Sequence, residues 1–376
     1  MVNNSMTNSI PKTNWTLDDL LVLNGIKKLQ SIGAFIAQQY SSIADVLARP
    51  SKHPIIKKFQ SLNKKDLHAE IQRGIEYADQ QRKFLAKNYK VVSYFDEEYP
   101  TLLRSLDYPS LLLFYKGQLP KQTEYSRSLT IVGTRTATQY GKLQTERYIQ
   151  ALGQYGFIFC SGNATGIDST VHKFCIQSKL KSYAFVACGL DKISPELSKS
   201  LMKKVWENGG AVFSEFPFGE PAYTYNFIKR NRLLSGFSHA TFIVESAEKG
   251  GSLITARISF EQNRPVYGLP GNISTNTSMG VNTLIKQCKA VMTVRPEDIL
   301  EDLGIQINSE STEKKVIKFD TNEEELIYSS LSYDPMHIDE ISEKTDLSPS
   351  IIYGSLLAME LHGLIRQVPG SMYLKT

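Results

Sequence analysis

Nowhere does the chain hold the roughly 18 consecutive apolar residues that a membrane-spanning helix needs, and its first residues, MVNNSMTNSIPKTNW, lack the basic-then-apolar order of a secretory signal. The expectation is a cytoplasmic protein without membrane association. Cysteine is scarce: Cys160, Cys175, Cys188 and Cys288 form no CxxC pair and stand in apolar runs or beside basic residues. That excludes a zinc-ribbon spacing or a disulfide framework and leaves reduced structural thiols, so no metal site and no cofactor are expected. Internal repeats are absent. What is present, 376 residues with 41% hydrophobic and 22% charged side chains, excludes a disordered chain and asks for two or three domains.

The net charge of +5 is unevenly spread. From Asp320 to Thr376 ten acidic residues face only Lys344, Arg366 and Lys375, which leaves −7 on this stretch and +12 on everything before it. A basic body with an acidic tail region points to a polyanionic partner for the body alone, although a merely solvated surface reads as well from charge by itself.

Residues 1–14 are expected to form a disordered tail and residues 15–87 a small helical domain, since WTLDDLLVLNGI and IGAFIAQQYSSIADVLA carry apolar positions at helical spacing and no strand-like run intervenes. From residue 88 to 304 the texture changes: VVSYF, SLLLFY, LTIVG, FIFC, YAFVA, AVFSE, ATFIVE, PVYGLP and AVMTV alternate with helical segments, which predicts an α/β domain on a largely parallel sheet. The polar stretch 305–320 reads as a linker. Residues 321–376 then predict three helices, the last begun by Ser348 as N-cap with Pro349 behind it, and a hairpin-like wing in IRQVPGSMYLK, together a winged helix.

Ligands of such a sheet gather at the carboxyl ends of its strands, and four segments there have suitable chemistry. Gly133, Thr134 and Arg135 follow LTIVG; glycine admits close backbone approach and the guanidinium forks onto phosphate, though a tight turn with a solvated arginine has the same sequence. Ser161, Gly162 and Gly166 follow FIFC and open a helix whose first amides can face an anion. Within it, Asp168 reads as a helix cap rather than a base, and His172 as a buried partner of neighbouring loops. A third segment, Asn226 to Gly236, is read as a loop in which Lys229, Arg230 and Arg232 bind phosphate and Asn231 fixes a loop or a base. Tyr223, Tyr225 and Phe227 can stack there, with a helix bearing a basic stripe as the alternative. The fourth, with Gly251 and Ser252, follows the strand ending at Glu245. No residue is assigned a catalytic role: Asp168, His172, Glu245 and Thr255 are expected to support the glycine turns.

Taken in order, DEEYPTLLRSL, IVGTRTATQYG, SGNATGIDSTVH, SEFPFGEP, RNRLLSG, VESAEKGGSLITA, LPGNIS and GVNTLI, followed by the winged-helix segment, resemble the DNA-processing protein A family (DprA, also called Smf) over nearly the whole chain. The resemblance implies a helical N-terminal domain of sterile-alpha-motif type, an extended Rossmann-like domain that binds single-stranded DNA and forms a homodimer, and a C-terminal winged helix. It also implies protection of single strands in natural transformation and loading of the RecA recombinase onto them. Carried across by position, the phosphate pocket comprises Gly133, Thr134, Arg135, Ser161, Gly162, Gly166, Lys229, Arg230, Asn231, Arg232, Gly251 and Ser252. The chain departs from the family pattern at Asn163, Thr165, Ile228 and Ser194 to Ser198. Two other classes remain open. A LOG-type nucleotide phosphoribohydrolase shares a glycine-pair loop, but its second loop glycine and its glutamate are out of register here. A duplex-DNA regulator would rest on the winged helix, whose third helical segment, SPSIIYGSLLAMELHGL, contains no Lys, Arg, Asn or Gln to read base edges.

Overall fold

In the computed structural model residues 13–306, 319–332 and 335–375 are described. Most of the expected N-terminal tail and of the linker at 305–320 lies outside them.

Five helices come first: α1 (Leu17–Gly25), α2 (Gly33–Gln39), α3 (Ile43–Ala48), α4 (Pro54–Gln60) and the 22-residue α5 (Lys64–Leu85). Thr16 and Asp19 close a capping box at the start of α1, and Asn63 caps α5 by accepting the Asp66 N–H at 2.9 Å. These helices do not enclose a separate core. Leu21, Ile26, Ile36 and Phe59 are buried in one cluster that continues into the α/β region, where Phe84 stacks on Phe218 at 4.6 Å and the Gln81 side-chain oxygen accepts the Phe218 N–H at 2.9 Å.

The chain then alternates β1 (Lys90–Ser93), α6 (Thr101–Arg104), β2 (Leu112–Gly117), β3 (Ser128–Val132), α7 (Gln139–Gly153), β4 (Ile158–Ser161), α8 (Ile167–Gln177), β5 (Ser182–Phe185), α9 (Glu196–Glu207) and β6 (Ala211–Ser214). It continues through α10 (Thr224–Phe237), β7 (Ala240–Ile243), α11 (Ser252–Glu261), β8 (Val266–Gly268), α12 (Asn276–Lys286), β9 (Val291–Met292) and α13 (Pro296–Asp302). Nine strands form one sheet in the order β1-β2-β6-β5-β4-β3-β7-β8-β9. Strands β3 to β9 pair in parallel, and only β1–β2 and β2–β6 are antiparallel. From β3 the chain winds outward through β4, β5 and β6, then returns to the other flank of β3 for β7, β8 and β9. The crevice between β3 and β7 is therefore the topological switch point, where strand-to-helix loops diverge and leave room for a ligand.

Both faces of the parallel part are covered, as its apolar strands require. Leu129, Ile131, Phe159 and Phe242 pack with Tyr148 and Val171 on the face of α7 and α8. Residues of opposite parity, such as Cys160 and Ile243, join Leu233, Leu234 and Phe237 of α10 on the other. Phe237 sits among the rings of Tyr125, Tyr183, Phe185 and Phe213 at 5.3 to 5.6 Å.

The winged-helix region holds α14 (Asn322–Ser330), β10 (Met336–His337), α15 (Ile338–Thr345), α16 (Pro349–Leu361), β11 (Ile365–Val368) and β12 (Met372–Lys375), with strands ordered β10-β12-β11. Ser348 precedes α16 with Pro349 at the first helical position, but its side chain makes no capping hydrogen bond. Ile352, Leu356 and Met359 fill a small core of their own, while Ile351, Leu357 and Leu361 are exposed. Arg366 on the wing reaches Glu146 of α7 at 3.1 Å.

Emptying the aromatic cluster beneath α10 by Phe237→Ala should cost about 3–5 kcal/mol in urea unfolding of the α/β region, whereas Leu357→Ala on the exposed face of α16 should stay within about 0.5 kcal/mol. Equal effects of the two substitutions would contradict this placement of the core.

Candidate functional site

At the switch point the loop after β3, the start of α8, the loop after β7 and one face of α10 surround a cavity of about 400 Å³. Its wall holds Gly133, Thr134, Arg135, Asp168, Arg230, Asn231, Gly251, Ser252 and Thr255, so residues from all four sequence segments meet there.

Hydrogen bonds to Glu245 position the first loop. The Thr134 N–H donates to its carbonyl oxygen at 2.8 Å, and its buried carboxylate accepts the Thr138 N–H at 2.9 Å and the Thr138 hydroxyl at 2.5 Å. Thr138 in turn caps α7 by accepting the Gly141 N–H at 3.1 Å. The second loop nests against the first: Gly166 has φ +77°, and a Cβ there would overlap the carbonyl oxygens of Thr134 and Arg135. Ile167 N–H then donates to Thr134 O at 3.2 Å. In the fourth segment Gly251 precedes α11, and the Ser252 hydroxyl bonds Ser246 at 2.8 Å.

The structure departs from the sequence reading at three points. Asp168 is not the cap of α8; that position is Gly166, and Asp168 is the second helical residue, its carboxylate accepting the Ala164 N–H at 3.3 Å. The basic run is not a loop but the interior of α10, because Tyr223 to Phe237 contains no Gly or Pro before Gly236 and its apolar residues Leu233, Leu234 and Phe237 anchor one side. Helical rotation of 100° per residue then separates the cations. Arg230 and Asn231 face the cavity, whereas Lys229 and Arg232 turn into a second cleft, where Arg232 is ion-paired with Glu215.

The remaining expected residues lie around the cavity rather than in it. Ser161 is buried and donates to Ile131 O at 2.7 Å, and Gly162 leaves the space that Asp168 and the Arg230 guanidinium occupy. His172 is buried, with Nε2 3.0 Å from Gly162 O and Nδ1 3.1 Å from the Ser182 hydroxyl. Only a protonated Nε2 can donate to that carbonyl, so Nδ1 accepts, and burial holds the ring neutral by pushing its pKa down to about 4. Gly166 opens onto an adjoining groove of about 480 Å³ that Lys142, Ser169, Thr170 and Lys173 also line. These two lysines were not expected. Their signal was spacing: Lys142 follows the capping Thr138 by four residues and Lys173 follows Gly166 by seven, which places both on the first two turns of helices that start at the site.

Arg230 is buried, and its guanidinium also bonds the Phe185 carbonyl oxygen at the end of β5. Phe227 lies close to two cations: the Cζ atoms of Arg135 and Arg230 are each 5.9 Å from its ring centre. Cationic forks, helix N-termini and an accessible ring in one cavity can hold a phosphate and stack a base. Two of the departures from the family pattern touch each other, and the others lie at the loops and the cavity wall. The Ser198 hydroxyl donates to the Asn163 side-chain oxygen, Thr165 reaches Arg135 O at 3.5 Å, and Ile228 stands exposed on the cavity wall.

Cys160, Cys175 and Cys188 are buried free thiols, with Cys188 pushed up to about 11 by burial, and Cys288 is free and exposed. Among the described residues no three His, Cys, Asp or Glu side chains are grouped to hold a metal ion.

The family model for DNA recombination-mediator protein A matches residues 90–304. The chain belongs to the DprA/Smf family. A second model, for the DprA winged helix domain, matches residues 316–371. Protein Smf of Escherichia coli K12 is 35% identical over 277 residues, covering 72% of this chain and 73% of that protein. The DNA processing protein DprA of Bacillus subtilis is 34% identical over 208 residues, 55% of this chain and 69% of that one. Among solved structures, DprA of Streptococcus pneumoniae shares the fold with a TM-score of 0.61 at 24% identity, over 79% of this chain and 99% of its own. DNA processing protein A of Helicobacter pylori, described for its single-stranded DNA binding mode, has a TM-score of 0.51 at 26% identity, over 57% of this chain and 95% of its own. The matched residues 90–304 include the whole cavity lining.

Burial pushes the Asp168 carboxyl from 3.8 to about 6, against the opposing pull of Arg230 and the Ala164 amide. The folded state therefore holds this proton more tightly than the unfolded chain. The contribution is fully present below the unfolded value of 3.8 and is lost as pH rises through about 6. A shift of two units corresponds to about 3 kcal/mol. In urea unfolding, the stability difference between wild type and Asp168→Asn should accordingly change by about that amount between pH 4 and pH 7.5, in favour of the variant at the higher pH. A pH-independent difference would contradict the assignment.

Proposed function

We propose that the α/β domain binds single-stranded DNA with little sequence preference, through the switch-point cavity, and does no covalent chemistry on it. The observation that carries this reading is the Arg135–Phe227–Arg230 arrangement at the mouth of three glycine loops, which offers charge to the backbone and a ring face to any base. The acid and base candidates have other work. Glu245 holds the start of α7, His172 holds the second loop with both ring nitrogens engaged, and Asp168 balances Arg230. The H. pylori relative supports the choice of single strands over duplex.

Family membership supports a cytoplasmic role in protecting single strands during natural transformation and in loading RecA, and it supports a homodimer. The surface for the dimer is the free edge of the sheet, where Val291, Met292 and Val294 are more than half exposed. The winged helix is not the main DNA-binding element: its region carries −7, and its α16 presents Tyr353, Leu357 and Leu361 to solvent instead of base-reading side chains. No helix among the described residues is long and apolar enough to cross a membrane.

Binding of oligothymidylate measured over a range of salt should weaken linearly in log–log form, and Arg135→Ala should make the slope shallower by about 0.7, the contribution of one neutralised phosphate on a single strand. Lys142→Ala in the adjoining groove should act in the same direction. An unchanged slope in both variants would overturn the cavity assignment. Deleting residues 321–376 should leave single-strand affinity unchanged or tighter; a tenfold loss, about 1.4 kcal/mol, would show that the winged helix binds DNA.

A further inference from the structure

The second cleft, on the opposite face of α10 from the switch-point cavity, is the larger of the two at about 860 Å³. It opens between the N-terminal helices and the α/β domain, with Lys27 and Arg73 on one wall, Tyr108 from the segment before β2 on another, and Tyr225, Asn226 and Lys229 of α10 on a third. Lys229 and Arg232, expected in the phosphate pocket, and Tyr223 and Tyr225, expected to stack there, line this cleft instead.

Its chemistry is that of a base-binding surface more than of a phosphate cage. Tyr223 and Tyr225 are stacked at 5.6 Å with ring planes only 8° apart, yet remain 47% and 52% exposed, and Tyr108 is 66% exposed. Three tyrosine rings held open at one cleft are an unusual use of apolar area unless something covers them. Asn226 supplies a second, independent observation. Its side chain is wholly buried, and its Oδ1 has no hydrogen-bond partner among the described residues. The amide orientation is fixed by its other end, because Nδ2 donates to Pro221 O at 3.3 Å and a carbonyl oxygen could not take that place. A buried acceptor without a donor is costly, and the exocyclic amine or ring N–H of a base is a donor of the right kind.

The cleft's charges agree with a strand passing its mouth. Glu215 is neutralised by Arg232 and also accepts the Ser110 hydroxyl, Arg73 is engaged by Glu70, and Glu220 stands by the Tyr225 hydroxyl at 3.5 Å. Lys27 and Lys229 are in no ion pair among the described residues, and Lys229 lies over the Tyr225 ring at 5.1 Å. They are the cations free to meet phosphates. Because α10 forms a wall of both cavities, a strand leaving Arg230 and Phe227 can cross the exposed Ile228 and Lys229 and arrive at Tyr225. A helix is about 10–12 Å across and a stacked strand advances about 3.4 Å per charge, so the crossing takes roughly three or four nucleotides.

Resting on the reading of the switch-point cavity as a single-stranded DNA site, we infer that this interdomain cleft is a second subsite of the same strand, taking one or more bases against the tyrosines and Asn226. The N-terminal helices thereby take part in DNA binding.

The test is a length series of oligothymidylates, from four to sixteen nucleotides, against the full chain and the separate variants Tyr108→Ala and Tyr225→Ala. Both substitutions are at exposed side chains, and circular dichroism and thermal unfolding are to check that each variant folds. In the wild type, affinity should step up once the strand is long enough to cross α10, at about eight nucleotides. Each variant should lose at least fivefold for the twelve-nucleotide strand and keep its affinity for the four-nucleotide strand. If the wild type binds single strands but both variants retain the full length dependence, the cleft is not a subsite of the strand, and a protein ligand is the alternative occupant. If the wild type binds no oligothymidylate of any length, the underlying reading of the switch-point cavity fails, and this inference fails with it.

Discussion

A guanidinium buried beneath the loops is the feature on which the site depends. Arg230 has only 6% of its surface exposed, and burial lowers its pKa, so its charge persists there only because Asp168, the Phe185 carbonyl and the Asn231 side chain surround it. Those partners belong to α8, to the end of β5 and to α10 itself. One charged group therefore ties together three elements that the chain reaches at widely separated points. The compensation is incomplete, since Asp168 is itself pushed up by the same burial. Such a centre is receptive to a further anion, which is what a phosphate at Gly133 and Arg135 would supply.

The cost of this arrangement appears in the backbone around it. Gly166 adopts a conformation open mainly to glycine because the Thr134 and Arg135 carbonyls pass directly over it, and Gly162 has no side chain because Asp168 and Arg230 fill the space. Sheet topology provides the setting. By returning to β3 from the far side, the chain leaves a crevice that no crossover helix closes, and all three glycine loops converge on it. On the other side of α10 the N-terminal helices share a continuous core with the α/β domain, and the second cleft is their meeting line.

Much of this was legible in the sequence because it is local. Strand runs such as LTIVG and ATFIVE are short, apolar and bounded by glycine or polar residues, and a glycine loop after each is a local sign of a strand-to-helix turn. The antiparallel pair β1 and β2 carries the same local pattern as the parallel strands, so its direction was not visible. The basic run on α10 misled for the opposite reason. Lys229, Arg230, Asn231 and Arg232 read as a polar interruption, but Leu233, Leu234 and Phe237 bury the helix against the sheet, and tertiary packing outweighs the local composition. Asp168 resembled a cap because carboxylates favour helix starts, while the real cap is a glycine forced by the neighbouring loop. The interdomain cleft was invisible in sequence. Its residues come from near positions 24–31, 73–77, 108–112 and 215–232, and only the docking of the helices brings them together.

Amide hydrogen exchange on the full chain, with and without a saturating twelve-nucleotide oligothymidylate, tests the central claim most directly, that the strand is held where the glycine loops meet α10. The account predicts concerted protection of residues 133–136, 164–169 and 250–253 and of α10, with α16 and the wing unchanged. Protection confined to residues 349–375, with the three loops exchanging as before, would contradict it.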